Sequence, residues 1–69
     1  MFRGVFAMPI VRIDIWVGRT AAQKKKLIKD ITDAFVNIGT PRDAVQIIIN
    51  EIPKEHWSIS GNVASEVFP

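Results

Sequence analysis

Few residues in this chain could do chemistry, and the most telling is a proline. It stands in the opening stretch "MFRGVFAMPIVRID", directly after a second methionine, Met8. If Met8 is the working start and is removed, Pro9 carries a free secondary amine. If the chain begins at Met1, the Pro9 nitrogen is a tertiary amide with no basic lone pair. A secondary amine is normally protonated near neutrality, and it becomes a base when apolar surroundings or a nearby cation disfavour the charged form. The plainer reading of Pro9 is a residue opening a strand on a sheet edge, where its missing donor costs nothing. Arg19 stands just before a helix start, where a cation is unfavourable unless an anion is expected there. Trp57 reads either as a structural aromatic or as a pocket wall. His56 is the single histidine, with no matched acid or nucleophile, and supports neither a triad nor a metal site. With no cysteine there is no thiolate-bound zinc and no disulfide. No metal and no cofactor is expected.

These groups must be positioned by very few elements. "PIVRIDIWVGR" alternates with the period of a strand: Val11, Ile13, Ile15 and Val17 on one face, Ile10, Arg12, Asp14 and Trp16 on the other. Gly18 ends it. Thr20 with Gln23 forms a capping box, and Gly39 with Pro41 a stop, so the intervening stretch predicts a helix. Its apolar face is Leu27, Ile28, Ile31, Ala34, Phe35 and Ile38, which should cover the apolar side of the strand. "AVQIIINEI" predicts a buried second strand, parallel to the first through a right-handed crossover. After Pro53, "WSIS", a Gly-Asn turn at 61 and 62, and "VASEVF" predict a small β-hairpin or an extended arm. The fold class is α+β: one βαβ unit with a C-terminal hairpin or arm.

A chain of 69 residues makes one domain near the lower limit of independent stability. Its 48% hydrophobic content is high for so small a body, and a two-stranded parallel sheet leaves both edges open. Without disulfides or metal, oligomerisation is the remaining way to cover this surface. The net charge is +2; without Arg3 the nine basic side chains become eight against seven acidic ones. Lys24, Lys25 and Lys26 read as a solvated face, or more weakly as a device steering anions, and lack the interleaved aromatics of a nucleic-acid surface. No apolar run is long enough for a membrane helix, and no secretory signal is evident. A cytoplasmic protein with no nucleic-acid or membrane partner is expected.

Taken together, "MPI" at 8 to 10, "GRT" with "QK" at 18 to 24, the helix, a strand ending in "NEI" and "HWSISGNVAS" at 56 to 65 resemble the 4-oxalocrotonate tautomerase family. No piece is specific alone; their order and spacing in one short βαβ chain is. The resemblance implies a homohexamer, assembled as a trimer of dimers, that interconverts enol and keto forms of small 2-oxo or 2-hydroxydienoic acids. It implies that Pro9 is the catalytic base, that Arg19 engages the substrate carboxylate, and that Trp16, Trp57 and Ile59 form the pocket wall. Gln46 falls where the family carries a second arginine, so it donates hydrogen bonds but brings no charge. Residues 1–8 are then an amino-terminal extension or a misassigned start, and residues 9–69 the tautomerase-like domain. The alternative is a catalytically silent oligomer of the same fold, with Pro9 blocked and the pocket filled by residues 1–7.

Overall fold

Two strands define the frame. A computed structural model of the chain describes residues 8–69, so the expected filling of a pocket by residues 1–7 lies outside the described residues. Strand β1 (Ile10–Trp16) and strand β2 (Gln46–Ile52) pair in parallel, from Ile10 opposite Gln46 to Trp16 opposite Ile52. The pairing runs past both strand ends. The Gln46 N–H donates to the Pro9 carbonyl at 3.0 Å, and the Val17 N–H to the Ile52 carbonyl at 3.2 Å.

Helix α1 (Ala21–Asn37) connects them. It starts where the capping box predicts: the Thr20 hydroxyl accepts from the Gln23 N–H at 3.1 Å, and Gln23 Oε1 accepts from the Thr20 N–H at 2.9 Å. It stops at Ile38, after which the N–H groups of Gly39 and Thr40 bond back to the carbonyls of Val36 and Phe35, each at 3.0 Å. The helix lies over the Val11, Ile13, Ile15, Ile47 and Ile49 face. Lys24 reaches across to Glu51 at 2.8 Å, and Ile28 shares a groove with Ile47 and Ile49. A 3₁₀ turn (Arg42–Ala44) leads into β2, which therefore begins two residues later than the apolar run suggests.

The core of a single copy is thin. Among the described residues only Ala44 and Ala64 are buried, and α1 contributes no buried side chain. Two members of the expected apolar faces lie outside their elements: Val17 follows β1 and is 51% exposed, and Ile38 follows α1 and is 78% exposed. Ala34 is exposed as well. On the sheet face away from α1, Ile10 and Ile48 are also open. One copy thus leaves apolar surface on both sides of its sheet, consistent with the limited burial available to so short a chain.

The C-terminal region is the hairpin expected, with two corrections. Strands β3 (Ser58–Ile59) and β4 (Asn62–Val63) pair antiparallel, but the turn is Ser60-Gly61 rather than Gly-Asn at 61 and 62. Both turn residues take positive φ, 53° and 82°, the pattern of a two-residue turn whose twist matches the flanking strands. The residues after β4 are not extended. Ala64–Val67 form a single helical turn, α2, closed by the Phe68 N–H donating to the Ala64 carbonyl at 2.8 Å. Ala64 is wholly buried and its N–H donates to the Trp57 carbonyl at 2.7 Å, so the turn is pinned under the hairpin. Among the described residues no helix is long and apolar enough to cross a membrane.

Candidate active site

The expected site residues fall at two opposite ends of β1. At the entry end, Pro9 is half-buried and is bonded through its carbonyl to the Gln46 backbone. Its nitrogen is acylated by Met8, so in this form it has no lone pair to accept a proton. Gln46 is exposed at the start of β2, with its side-chain amide 3.6 Å from the Met8 sulfur. Gln46 therefore stands beside Pro9 at the start of the sheet.

At the exit end, Gly18 takes φ 128°, a conformation that favours glycine, and turns the chain out of the strand into Arg19 and the helix cap. Here an open cleft of about 490 Å³ is lined by Trp16, Arg19, Lys54 and Trp57, with Ile15, Val17 and Gly18 completing its edge. Trp16 and Trp57 meet edge to face, centroids 5.7 Å apart at 77°, and Phe68 packs on Trp16 in a tilted arrangement, centroids 5.6 Å apart. Such aromatic pairs contribute roughly 0.5–1.5 kcal/mol each beyond their burial, enough to fix the wall of an otherwise lightly packed chain. The Lys54 ammonium sits 4.9 Å above the Trp16 ring and donates to the Phe68 carbonyl.

The fold brings Trp16, Arg19 and Trp57 together in one cleft. It leaves Pro9 and Gln46 at the other end of β1, a strand of seven residues spanning about 23 Å at the usual rise. No rotamer of Arg19 crosses that length. Ile59, expected in the same wall, lies on the exposed hairpin and does not line the cleft. Lys54 and Phe68 were not expected. A sequence signal for Lys54 exists: Pro53 opens a 3₁₀ turn (Lys54–His56) in which the Trp57 N–H donates to the Lys54 carbonyl, so a lysine three residues before the tryptophan is carried beside it.

Away from the cleft, Lys24, Lys26, Lys29 and Arg42 pair with carboxylates, whereas Arg12 and Lys25 have no such partner among the described residues. Asp33 on α1 accepts from both Arg42 and Lys29, and these bonds, Arg42 first, hold its carboxyl below the usual range. Asp30 raises the pKa of Lys26 by hydrogen bonding and charge. Within the cleft, neither Arg19 nor Lys54 has a carboxylate within salt-bridge distance among the described residues. Two cations left without acid partners in one aromatic-walled cleft suit an anionic ligand.

Known proteins resemble this chain in both sequence and fold. Residues 9–66 match the family described as Tautomerase enzyme. Over 61 residues the chain is 41% identical to a 2-hydroxymuconate tautomerase of Pseudomonas sp. strain CF600, covering 87% of this chain and 97% of that protein. Among solved structures it is similar to the 4-oxalocrotonate tautomerase isozymes from Methylibium petroleiphilum, with TM-score 0.81, 34% identity, and coverage of 88% of this chain and 100% of that one. It is also similar to a heterohexamer 4-oxalocrotonate tautomerase from Chloroflexus aurantiacus J-10-fl, with TM-score 0.79, 31% identity, and coverage of 87% and 98%.

Proposed function

Because this chain belongs to the tautomerase family, we propose that it interconverts the enol and keto forms of small 2-hydroxydienoic and 2-oxo acids, with Pro9 as the base once the residues before it are removed. The observation that carries this reading is the cleft in which Arg19, without an acid partner among the described residues, stands beside a wall of two tryptophans, on a chain whose family match begins at Pro9. Names of the relatives support the substrate class: 2-hydroxymuconate and 4-oxalocrotonate are acids of this kind. Residues 9–69 are the working domain in this reading, and residues 1–8 an extension.

The reaction moves one proton. The Pro9 lone pair takes the proton from the enol hydroxyl, the O–H pair forms the carbonyl, and the diene electrons shift along the chain of carbons. The prolinium then returns its proton to the carbon at the far end. Arg19 holds the carboxylate and fixes the acid so that both ends of this transfer face the same nitrogen. Apolar walls from Trp16 and Trp57, with Arg19 nearby, disfavour the ammonium form of Pro9 and keep its lone pair available. Gln46, beside Pro9, donates a hydrogen bond to developing negative charge without the full charge of an arginine.

Pro9 and Arg19 of one copy lie too far apart to share a substrate, so the working site joins the Pro9 end of one copy to the cleft of another. The similarity to a heterohexamer supports an assembly of six subunits, here of identical chains. The exposed apolar surface on both faces of the sheet is what such an assembly covers.

The test is protein whose amino-terminal residue is verified as Pro9 by intact mass, assayed by the ultraviolet absorbance of several enol acids. Catalysed ketonisation is expected. A verified Pro9 form that leaves every enol acid to its spontaneous rate would overturn the reading.

A further inference from the structure

Lys54 is the side chain of the cleft that the proposed reaction does not use. Its position is set by three features. The 3₁₀ turn after Pro53 carries it beside Trp57, the Trp16 ring lies 4.9 Å below its ammonium, and the Phe68 carbonyl accepts one of its protons. An ammonium has three donors, so two stay available for a ligand. The residue is half-buried, and no carboxylate pairs with it among the described residues. A lysine held on an aromatic face has already lost part of its hydration and its rotamer freedom, which lowers what a bound anion must still offset.

We propose that Lys54 is a second anion-binding residue of this cleft, sharing the substrate carboxylate with Arg19 and setting a preference for ionised acids over their neutral analogues. The proposal rests on the reading of the cleft as the acid-binding half of the site. The arginine fork fixes the plane of the carboxylate, and the lysine adds a point charge from the Trp16 side. Positive charge is thus concentrated at the cleft end of the substrate, whereas Gln46 leaves the Pro9 end uncharged. Lys54 does not touch the moving proton, so it acts on affinity rather than on the chemical step.

Sorbate, an ionised dienoic acid with no enol to convert, and its neutral amide separate the possibilities. Both tryptophans of the chain line the cleft, so their fluorescence reports occupancy in the full 69-residue chain without any catalysis. Lys54→Met is expected to weaken sorbate binding about tenfold, the size of one lost charge-assisted hydrogen bond, and to leave the amide unchanged. Lys54→Arg should restore sorbate binding, and Lys29→Met, which removes an exposed helix charge, should leave it as in the parent. Equal losses for sorbate and amide, or undiminished sorbate binding in Lys54→Met, would overturn the proposal. If Lys54→Met loses its far-ultraviolet dichroism, Lys54→Gln takes its place with the same two outcomes. Arg19→Ala distinguishes the two levels: binding that depends on Arg19 but not on Lys54 removes only the role of Lys54. A parent chain that does not bind sorbate at all removes both.

Discussion

The two ends of the β1–β2 sheet differ in nearly every respect that matters to catalysis. The entry end holds Pro9 and Gln46 and is flanked by the open Ile10. The exit end holds Arg19, Lys54 and an aromatic wall, and its described lining includes neither a carboxylate nor a histidine. Each end has what the other lacks. The exit end also carries a sign of incompleteness: the Trp16 indole N–H is buried and has no partner among the described residues, a loss of about 1–3 kcal/mol if nothing satisfies it. On the proposed reading, the unit of function is a pair of ends from different copies, and a single copy presents two half-sites.

The largest effect should come from blocking the entry end. Protein that retains Met1 to Met8, confirmed by mass, should turn over enol acids about 10²- to 10⁴-fold more slowly than protein beginning at Pro9, because the general base is absent. Equal rates from the two forms would remove Pro9 from the mechanism. At the exit end, Arg19→Ala should raise KM by the equivalent of about 1.5–3 kcal/mol, with a smaller fall in kcat. Steady-state kinetics on an acid and its neutral ester checks this, since the ester should be nearly indifferent.

Gln46→Arg sharpens the comparison from the other side. It places a cation beside Pro9, disfavours the prolinium, and should move the acidic limb of the kcat/KM profile to lower pH. An unmoved limb would mean that residue 46 does not face the proline amine in the assembly. Thr20→Ala removes the hydroxyl that caps α1 next to Arg19 and should cost about 1 kcal/mol in chemical denaturation, with KM rising only as far as Arg19 is misplaced.

The smallest effect belongs to Asp33, which lies outside both ends. Its carboxyl is held below the usual range by Arg42 and Lys29, so it contributes stability above the ordinary carboxylate pKa and loses it as pH falls through its own lower value. Asp33→Asn should therefore melt slightly lower than the parent at neutral pH, and the gap should close in acid. Catalysis should not change.

Much of the scaffold was legible because local chemistry and periodicity agreed. The alternation of "IVRIDIW", the Thr20-Gln23 box and the β-branched run of β2 each admit one reading, and the parallel pairing follows from the helix between the strands. The C-terminal region was read less well for a physical reason. Asn62 is a favourable residue for a turn, yet the turn takes Ser60 and Gly61 instead; the cross-strand pairing of Ser58 with Val63 and Ile59 with Asn62 goes with that choice. "VASEVF" is too short for its period to separate strand from helix, and the burial of Ala64 decides it. Trp16, Arg19 and Trp57 were expected together and are; Ile59 was expected with them and is not. Lys54 escaped notice because its role depends on lying above Trp16, a contact across 38 positions of sequence.

The claim that the site joins opposite ends of different copies is tested most directly by complementation. One chain retains residues 1–8 and so lacks the base but keeps Arg19; the other begins at Pro9 and carries Arg19→Ala. Each alone is slow at low substrate concentration. Unfolded together and refolded, they form mixed oligomers in which a free Pro9 meets an intact Arg19. The account predicts activity well above the sum of the two parents, rising and falling with the mixing ratio. Activity equal to that sum, in a sample shown by native mass spectrometry to contain mixed oligomers, would contradict it.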